Sequence, residues 1–210
     1  MKMPAVLLLA LAIAPWASAQ TPPPQDVPQP GLLRIDVDAT DIARRVFRVK
    51  ATVPAKPGPL TLLYPQWIPG NHSPTGAIDK LAGLTVTANG KVIPWTRDQY
   101  DVYAFHVDVP EGAGEVVAEF KFLSSQGGNQ GRVVMTPEML NLQWTSNSLY
   151  PAGVYARNIK AQASVKLPAG WSYATALETE SKSGDTVTFK PIDYDDLVDS
   201  PLYAGKYYKR

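Results

Sequence analysis

Leu84-Thr85-Val86-Thr87-Ala88-Asn89-Gly90-Lys91-Val92-Ile93-Pro94-Trp95 decides the fold class. Two short runs rich in β-branched and apolar residues, Leu84–Ala88 and Lys91–Trp95, flank an Asn-Gly pair. Asn and Gly are the residues that best tolerate positive φ, so this pattern predicts a tight antiparallel hairpin. The period of two continues on both sides. Leu33, Ile35 and Val37 alternate with Arg34, Asp36 and Asp38, and Phe47, Val49, Ala51 and Val53 alternate with Arg48, Lys50 and Thr52. Val116, Ala118, Phe120 and Phe122 repeat the pattern, as do Ala161, Ala163, Val165 and Leu167. Each reads as a half-buried antiparallel strand, apolar on one face only.

Further strands are expected near 59–64, 102–109, 140–145, 171–176, 186–190 and 202–209. Helical turns fit only at 79–84, 136–141 and 194–199, and no long stretch has helical period. Roughly ten strands punctuated by proline and glycine predict an all-β domain, an antiparallel β-sandwich or a large curved sheet. Ser124–Gly131 reads as a mobile loop joining two halves of the sheet system.

The ends of the chain are different in kind. Lys2, the apolar run Ala5–Ala14 and the small-residue signal Ala17-Ser18-Ala19 predict a signal peptide over 1–19. The apolar run is too short to cross a bilayer, so no membrane span is expected after cleavage and the mature chain is expected in the periplasm or secreted. Residues 20–31, with Pro22-Pro23-Pro24, Pro28 and Pro30, read as a Pro-rich extended linker, leaving 32–210 as the β domain. There is no cysteine, so stability must come from an ordinary core rather than disulfides. Without Lys2 the 20 basic residues become 19, against 19 acidic. A chain of zero formal charge with no basic stripe argues against nucleic acid as a partner.

Catalytic chemistry is hard to place here. A zinc peptidase commonly carries H-E-x-x-H on a helix. The two histidines, His72 and His106, are followed by Ser73 and Val107, and neither falls on an expected helix. His106 reads as an exposed or hydrogen-bonded strand residue; His72 reads equally as structural or as a contact. Cysteine nucleophiles are absent, no G-x-S-x-G elbow occurs, and Gly127–Gly131 lacks the lysine and helix of a phosphate loop. Asp193, Asp195, Asp196 and Asp199 read as a solvated turn, because Val198 and Ala204 occupy positions where a calcium loop needs Gly and Glu. Catalytic and metal-binding residues are therefore expected to be none in this chain, with no cofactor of its own. The aromatics, Trp95, Trp144 and Trp171 among them, read mainly as core, with a sugar-stacking platform as the other possibility.

One loop stands apart. Trp67-Ile68-Pro69-Gly70-Asn71-His72-Ser73-Pro74-Thr75-Gly76 holds an aromatic, two prolines, two glycines and a histidine in ten positions. Proline fixes φ and glycine opens conformations closed to other residues, so the loop has a specified shape, as recognition loops do. Trp67, Pro69, Gly70, Asn71 and His72 are the candidate ligand or interdomain contacts, with Trp67 the tryptophan expected outside the core.

Tyr64-Pro65-Gln66-Trp67-Ile68-Pro69-Gly70-Asn71-His72 and Trp95-Thr96-Arg97-Asp98-Gln99-Tyr100-Asp101-Val102-Tyr103-Ala104-Phe105 resemble the N-terminal domain of the glycyl aminopeptidases, the PDZ-carrying zinc metallopeptidases of family sixty-one. Ala82-Gly83-Leu84, Leu167-Pro168-Ala169-Gly170-Trp171, Ala174-Thr175-Ala176-Leu177 and the stretch Tyr194–Leu202 with Gly205 are similar to the same family, so the resemblance covers about 32–210. It implies an N-terminal β domain, a helical zinc-peptidase domain after it and then a PDZ domain. It implies zinc only for the catalytic domain that this chain lacks, that domain as a partner in cis, and a peptide substrate whose free amino terminus the cleft seats. The expected function is that of a non-catalytic N-terminal β domain, a fragment of an exported zinc aminopeptidase, shaping the substrate cleft. The alternative is a stand-alone periplasmic β-sandwich that binds a peptide, glycan or protein.

Overall fold

A computed structural model describes residues 21–71 and 73–208. The predicted signal peptide at 1–19 lies outside the described residues, as does the candidate contact His72. In chain order the strands are β1 (Leu33–Asp41), β2 (Val46–Pro54), β3 (Gly58–Leu63), β4 (Leu81–Ala88), β5 (Lys91–Ile93), β6 (Trp95–Arg97), β7 (Ala104–Val109), β8 (Glu115–Leu123), β9 (Met139–Leu142), β10 (Tyr150–Pro151), β11 (Lys160–Lys166), β12 (Ser172–Ala174), β13 (Thr179–Ser183), β14 (Thr186–Phe189), β15 (Ile192–Asp193) and β16 (Leu202–Gly205). Among the described residues one short α-helix, α1 (Tyr194–Val198), follows β15, and four single-turn 3-10 helices lie in the connections. The all-β expectation holds.

The strands form three sheets. Nine build the large sheet in the order β13-β14-β11-β1-β2-β8-β4-β5, with β15 also on β11; four build a second, β10-β3-β7-β6, and three a third, β12-β16-β9. The inward faces meet in one core. Ile35, Val49, Ala118 and Val86 come from the large sheet, Leu62 and Phe105 from the second, and Leu140, Leu142 and Leu202 from the third. The alternation read from sequence is the burial pattern found: along β1, Leu33, Ile35, Val37 and Ala39 are buried while Arg34, Asp36 and Thr40 are exposed, so hydrophobic burial on one face holds each strand in register.

The Asn89-Gly90 hairpin forms as expected. Ala88 pairs with Lys91, and both turn residues have positive φ, 50° and 71°, which makes a two-residue primed turn. Beyond it the structure departs from the reading. The run Lys91–Trp95 is not one strand: it breaks at Pro94, leaving β5 in the large sheet and β6 in the second. Proline has no N–H to give a ladder, so the chain changes sheets there. Such breaks raise the strand count to sixteen among the described residues, above the roughly ten expected from spacing.

Not every pairing is antiparallel. β1 and β11 run parallel, with Leu33 opposite Ala161 and Asp38 opposite Lys166. Parallel neighbours need a long crossover, and here the connection passes through both smaller sheets. Residues 136–141, expected as a helical turn, instead form a tight reversal into β9, closed by the Met135–Leu140 bridge and the Asn141 N–H to Val134 O bond of 2.8 Å. The Ser124–Gly131 loop does join two sheets, but it is tied internally. Ser124 and Ser125 are buried, and the Ser125 hydroxyl donates to Gln130 O at 2.9 Å.

The Pro-rich stretch is laid along the body rather than free of it. Gln25 bridges Val154 in parallel, its N–H reaches Gly153 O at 3.0 Å, and Gln29 N–H reaches Asn158 O at 2.9 Å. Asp26 accepts from Asn158 Nδ2 at 2.8 Å and pairs with Arg157 at 3.0 Å.

Candidate functional site

The Trp67–Gly76 loop leaves the end of β3 and returns before β4, and local chemistry explains its shape. Pro69 and Gly70 are the central residues of a four-residue turn closed by Asn71 N–H to Ile68 O at 3.0 Å. Gly70 has φ +80°, so this is the Pro-Gly arrangement of a type II turn. Behind the turn, Trp67 bridges Pro74 across the loop, and Asn71 Nδ2 donates to Thr75 Oγ1 at 2.8 Å.

The base is clamped. Gly76 N–H donates to Gln66 O at 3.0 Å, and the Tyr103 hydroxyl donates to Gly76 O at 3.1 Å. Tyr64, buried against the core, turns its hydroxyl to Ser146 O at 3.1 Å; burial holds that phenol well above its ordinary pKa, so it stays a neutral donor. Fixed this way, the loop projects Trp67 outward with 62% of its surface exposed. Trp144 is fully buried, while Trp95 and Trp171 are partly buried against the core. Among the tryptophans of the described residues, Trp67 alone is exposed, which fits the expectation that it stands outside the core.

The second sequence motif does a different job. Trp95 Nε1 donates to Leu84 O at 3.1 Å and its ring meets Phe105 edge-on at 5.5 Å, while the Arg97 guanidinium lies over Phe105 at 4.6 Å and donates to Val102 O. Asp98 closes the β6–β7 turn, its Oδ1 accepting the backbone N–H groups of Tyr100 (2.8 Å) and Asp101 (2.9 Å). Its Oδ2 lies 2.8 Å from His106 Nε2, and His106 Nδ1 lies 2.9 Å from the Thr61 hydroxyl. His106 is thus a hydrogen-bonded strand histidine with both ring nitrogens engaged.

The Asp101 and Tyr100 amides and His106 favour the ionised carboxylate and hold the Asp98 pKa down to about 2, from its ordinary 3.8. A depressed folded-state pKa adds stability above pH 4 that disappears as pH falls from about 4 to about 2. Asp98→Asn is expected to flatten the acid limb of stability in that window. Urea midpoints of the two proteins between pH 6 and pH 2 check this, and parallel curves would contradict it.

Beside the Trp67 loop lies a groove of about 610 Å³. Ile68, Pro74 and Thr75 form one wall, Gln130, Arg132 and Val134 the other, and Gln143, Thr145 and Ser146 the floor, with Asp79 and Lys80 also along it. Of the candidates, Asn71 lines this groove; Trp67, Pro69 and Gly70 sit on the same loop around it. The floor and far wall escape sequence reading because they come from segments distant in the chain. Their one local trace is the alternation Asn141-Leu142-Gln143-Trp144, in which buried Leu142 and Trp144 turn Gln143 outward.

Among the described residues, no three His, Cys, Asp or Glu side chains converge to hold a metal ion. The acidic stretch makes no such site: Asp193 pairs with Lys160 at 2.7 Å, and Asp195, Asp196 and Asp199 point into solvent. The groove combines apolar surface from Ile68 and Pro74, amide and hydroxyl groups from Gln143 and Ser146, and the charged side chains of Asp79, Lys80 and Arg132.

A family profile for the peptidase M61 N-terminal domain matches residues 34–206. The chain belongs to that family.

No curated protein matches the M61 domain chain significantly in sequence. Among solved structures it is similar to an aminopeptidase N family protein from Idiomarina loihiensis, with a TM-score of 0.70 at 18% identity over 83% of this chain and 29% of that one. An M1 zinc metallopeptidase from Deinococcus radiodurans is a looser neighbour, with a TM-score of 0.46 at 14% identity over 86% of this chain and 42% of that one. The M61 domain chain thus spans less than half the length of either neighbour. The first likeness supports the fold; the second is too slight to add to it.

Proposed function

We propose that this M61 domain is the non-catalytic N-terminal β domain of an exported zinc aminopeptidase, where it forms one wall of the cleft that receives a peptide's amino-terminal end. The observation that carries the proposal is the rigid Trp67–Gly76 loop standing over a groove of about 610 Å³ in a chain matched over 34–206 by a peptidase N-terminal family. Trp67, Pro69, Gly70, Asn71 and His72 are its contact residues, toward the peptide or toward the catalytic domain in cis. Zinc belongs in this reading to that catalytic domain. Both ring nitrogens of His106 are committed to hydrogen bonds.

The contribution of this chain is positional. The groove floor offers the Gln143 amide and the Ser146 hydroxyl to polar groups of an extended peptide, Ile68 and Pro74 offer apolar surface to a side chain, and the Trp67 indole stands on the same loop at the groove's edge. Export is part of the proposal and rests on the 1–19 signal.

Trp67→Ala in the native protein tests the contact role. With 62% of the side chain exposed, its removal is expected to change stability by less than about 0.5 kcal/mol. Loss of an aromatic anchor is expected to raise KM for glycyl peptides about tenfold. An unchanged KM, or an unfolded variant, would remove Trp67 from the site. Binding of a peptide or glycan by purified 20–210, lost on Trp67→Ala, would instead favour the stand-alone module.

A further inference from the structure

The two sequence motifs of this domain meet at Tyr103. Its carbonyl accepts the Tyr64 N–H at 2.9 Å, where β3 runs out into the Trp67 loop. Its hydroxyl donates to Gly76 O at 3.1 Å, where the loop comes back. One residue thus spans both ends of the loop. Its ring lies so close to Gly76 that an added Cβ there would stand 3.0 Å from it. The position of Tyr103 sets the position of the loop.

Tyr103 is itself held by a turn. Asp98 N–H donates to Ala104 O and Ala104 N–H to Asp101 O, both at 3.0 Å, and Asp101 Oδ1 accepts the Tyr103 N–H at 3.0 Å. The Asp98 carboxylate closes this turn from inside, Oδ1 taking the Tyr100 and Asp101 amides and Oδ2 facing His106. Behind His106 stands Thr61 of β3, the strand that leads into the loop. With the ring proton on Nε2, Thr61 donates to Nδ1 and Nε2–H donates to Asp98, so the three side chains form one directed chain.

This pair differs from the other ion pairs among the described residues. Both partners are shielded, the His106 side chain 13% and the Asp98 side chain 10% exposed. Every other pair has at least one partner open to water. A shielded polar network adds little net stability over an apolar pair, but it favours one geometry, because a shift leaves a group unsatisfied away from water. A positioning element needs that property.

We infer that Asp98 and His106 are positioning residues for the contact loop: they fix the 98–103 turn, and Tyr103 carries that position to both ends of the Trp67–Gly76 loop. Tyr103 lines the groove, whereas Asp98 and His106 do not, so they act through it. That the placement serves peptide recognition rests on the function proposed above.

Hydrogen–deuterium exchange in the native protein tests this, with KM for glycyl peptides measured on the same variants. Asp98→Ala and Tyr103→Phe are each expected to speed exchange at the Asn71 and Gly76 amides about fivefold, the worth of one ordinary hydrogen bond, and to raise KM about as much at unchanged kcat. Asp98→Asn is expected to keep wild-type values. Its Oδ1 still accepts both amides, and its amide donates to Nε2 of the other His106 tautomer, whose Nδ1–H turns to Thr61. Val49→Ala, in β2 of the large sheet, lowers stability generally and is expected to leave the two loop amides unchanged, because they exchange by local opening. Wild-type exchange at Asn71 and Gly76 in both Asp98→Ala and Tyr103→Phe would overturn the inference, as would equal acceleration by Val49→Ala. Faster loop exchange at an unchanged KM would leave the positioning in place and defeat the proposed function instead.

Discussion

Trp144→Ala is expected to cost the domain about 3–5 kcal/mol, the range for emptying a fully buried large aromatic site. The side chain has no exposed surface and packs edge-on to Phe189 at 6.4 Å. Its Nε1 donates to Ser200 O at 2.9 Å, and its own carbonyl accepts the buried Ser148 hydroxyl at 2.6 Å. Ser148 in turn shares a 2.7 Å bond with the Tyr194 hydroxyl at the start of α1. The indole therefore pins the turn at the groove floor to the segment that leads into β16. Alanine would leave a cavity and take from the Ser200 carbonyl the shorter of its two hydrogen bonds, leaving only the 3.5 Å contact from the Thr175 hydroxyl. Single domains are commonly stable by about 5–15 kcal/mol, so this loss is a large fraction of the total. Urea unfolding should show a much lower midpoint at unchanged slope. Trp144→Phe keeps most of the volume and is expected to lose about half as much. If both variants unfold at the wild-type midpoint, the site is not the packed junction described.

Gly76→Ala is expected to lower stability by about 3 kcal/mol, and Gly70→Ala, in the same loop, by only about 1. The two glycines are needed for different reasons. At Gly76 an added Cβ would lie 2.0 Å from the Pro65 carbonyl oxygen and 3.0 Å from the Tyr103 ring. The oxygen is backbone and cannot swing aside, so the Gln66 pairing and the Tyr103 clamp must give way. At Gly70 a Cβ meets nothing within 4 Å, and the penalty is the left-handed φ of +80° alone. In thermal unfolding of a domain this size, about 3 kcal/mol corresponds to a fall of about 6–12 °C. Because the clamp orients Trp67, Gly76→Ala should also weaken peptide recognition more than Gly70→Ala. Equal melting temperatures for the two variants would contradict the steric argument.

Much of the fold was legible because its causes are local. Alternation in 33–37, 47–53, 116–122 and 161–167 is a direct record of one buried face per strand, and Asn89-Gly90 records a turn that needs positive φ twice. Partner choice leaves no such record. Nothing between Leu33 and Asp38 distinguishes a parallel neighbour from an antiparallel one, and the switch of sheet at Pro94 depends on where β7 lies. Residues 136–141 misled because Pro137 and Glu138 suit a helix start, whereas burial of Leu140 and Leu142 in the core made the strand.

The site shows the same division. The Pro-Gly turn and the outward Trp67 follow from loop chemistry, and the Asp98–His106 pair was latent in two residues eight apart on a hairpin. Gln143, Arg132 and Ser146 join the groove only when three sheets come together, which no local pattern encodes.

The intact mass of the native protein, purified from its own host, tests the central claim most directly. The account predicts a single polypeptide far heavier than residues 20–210, with a mass that includes a zinc-peptidase domain after this one. A native mass equal to that of residues 20–210 would contradict it and leave a free-standing module whose Trp67 loop serves another ligand.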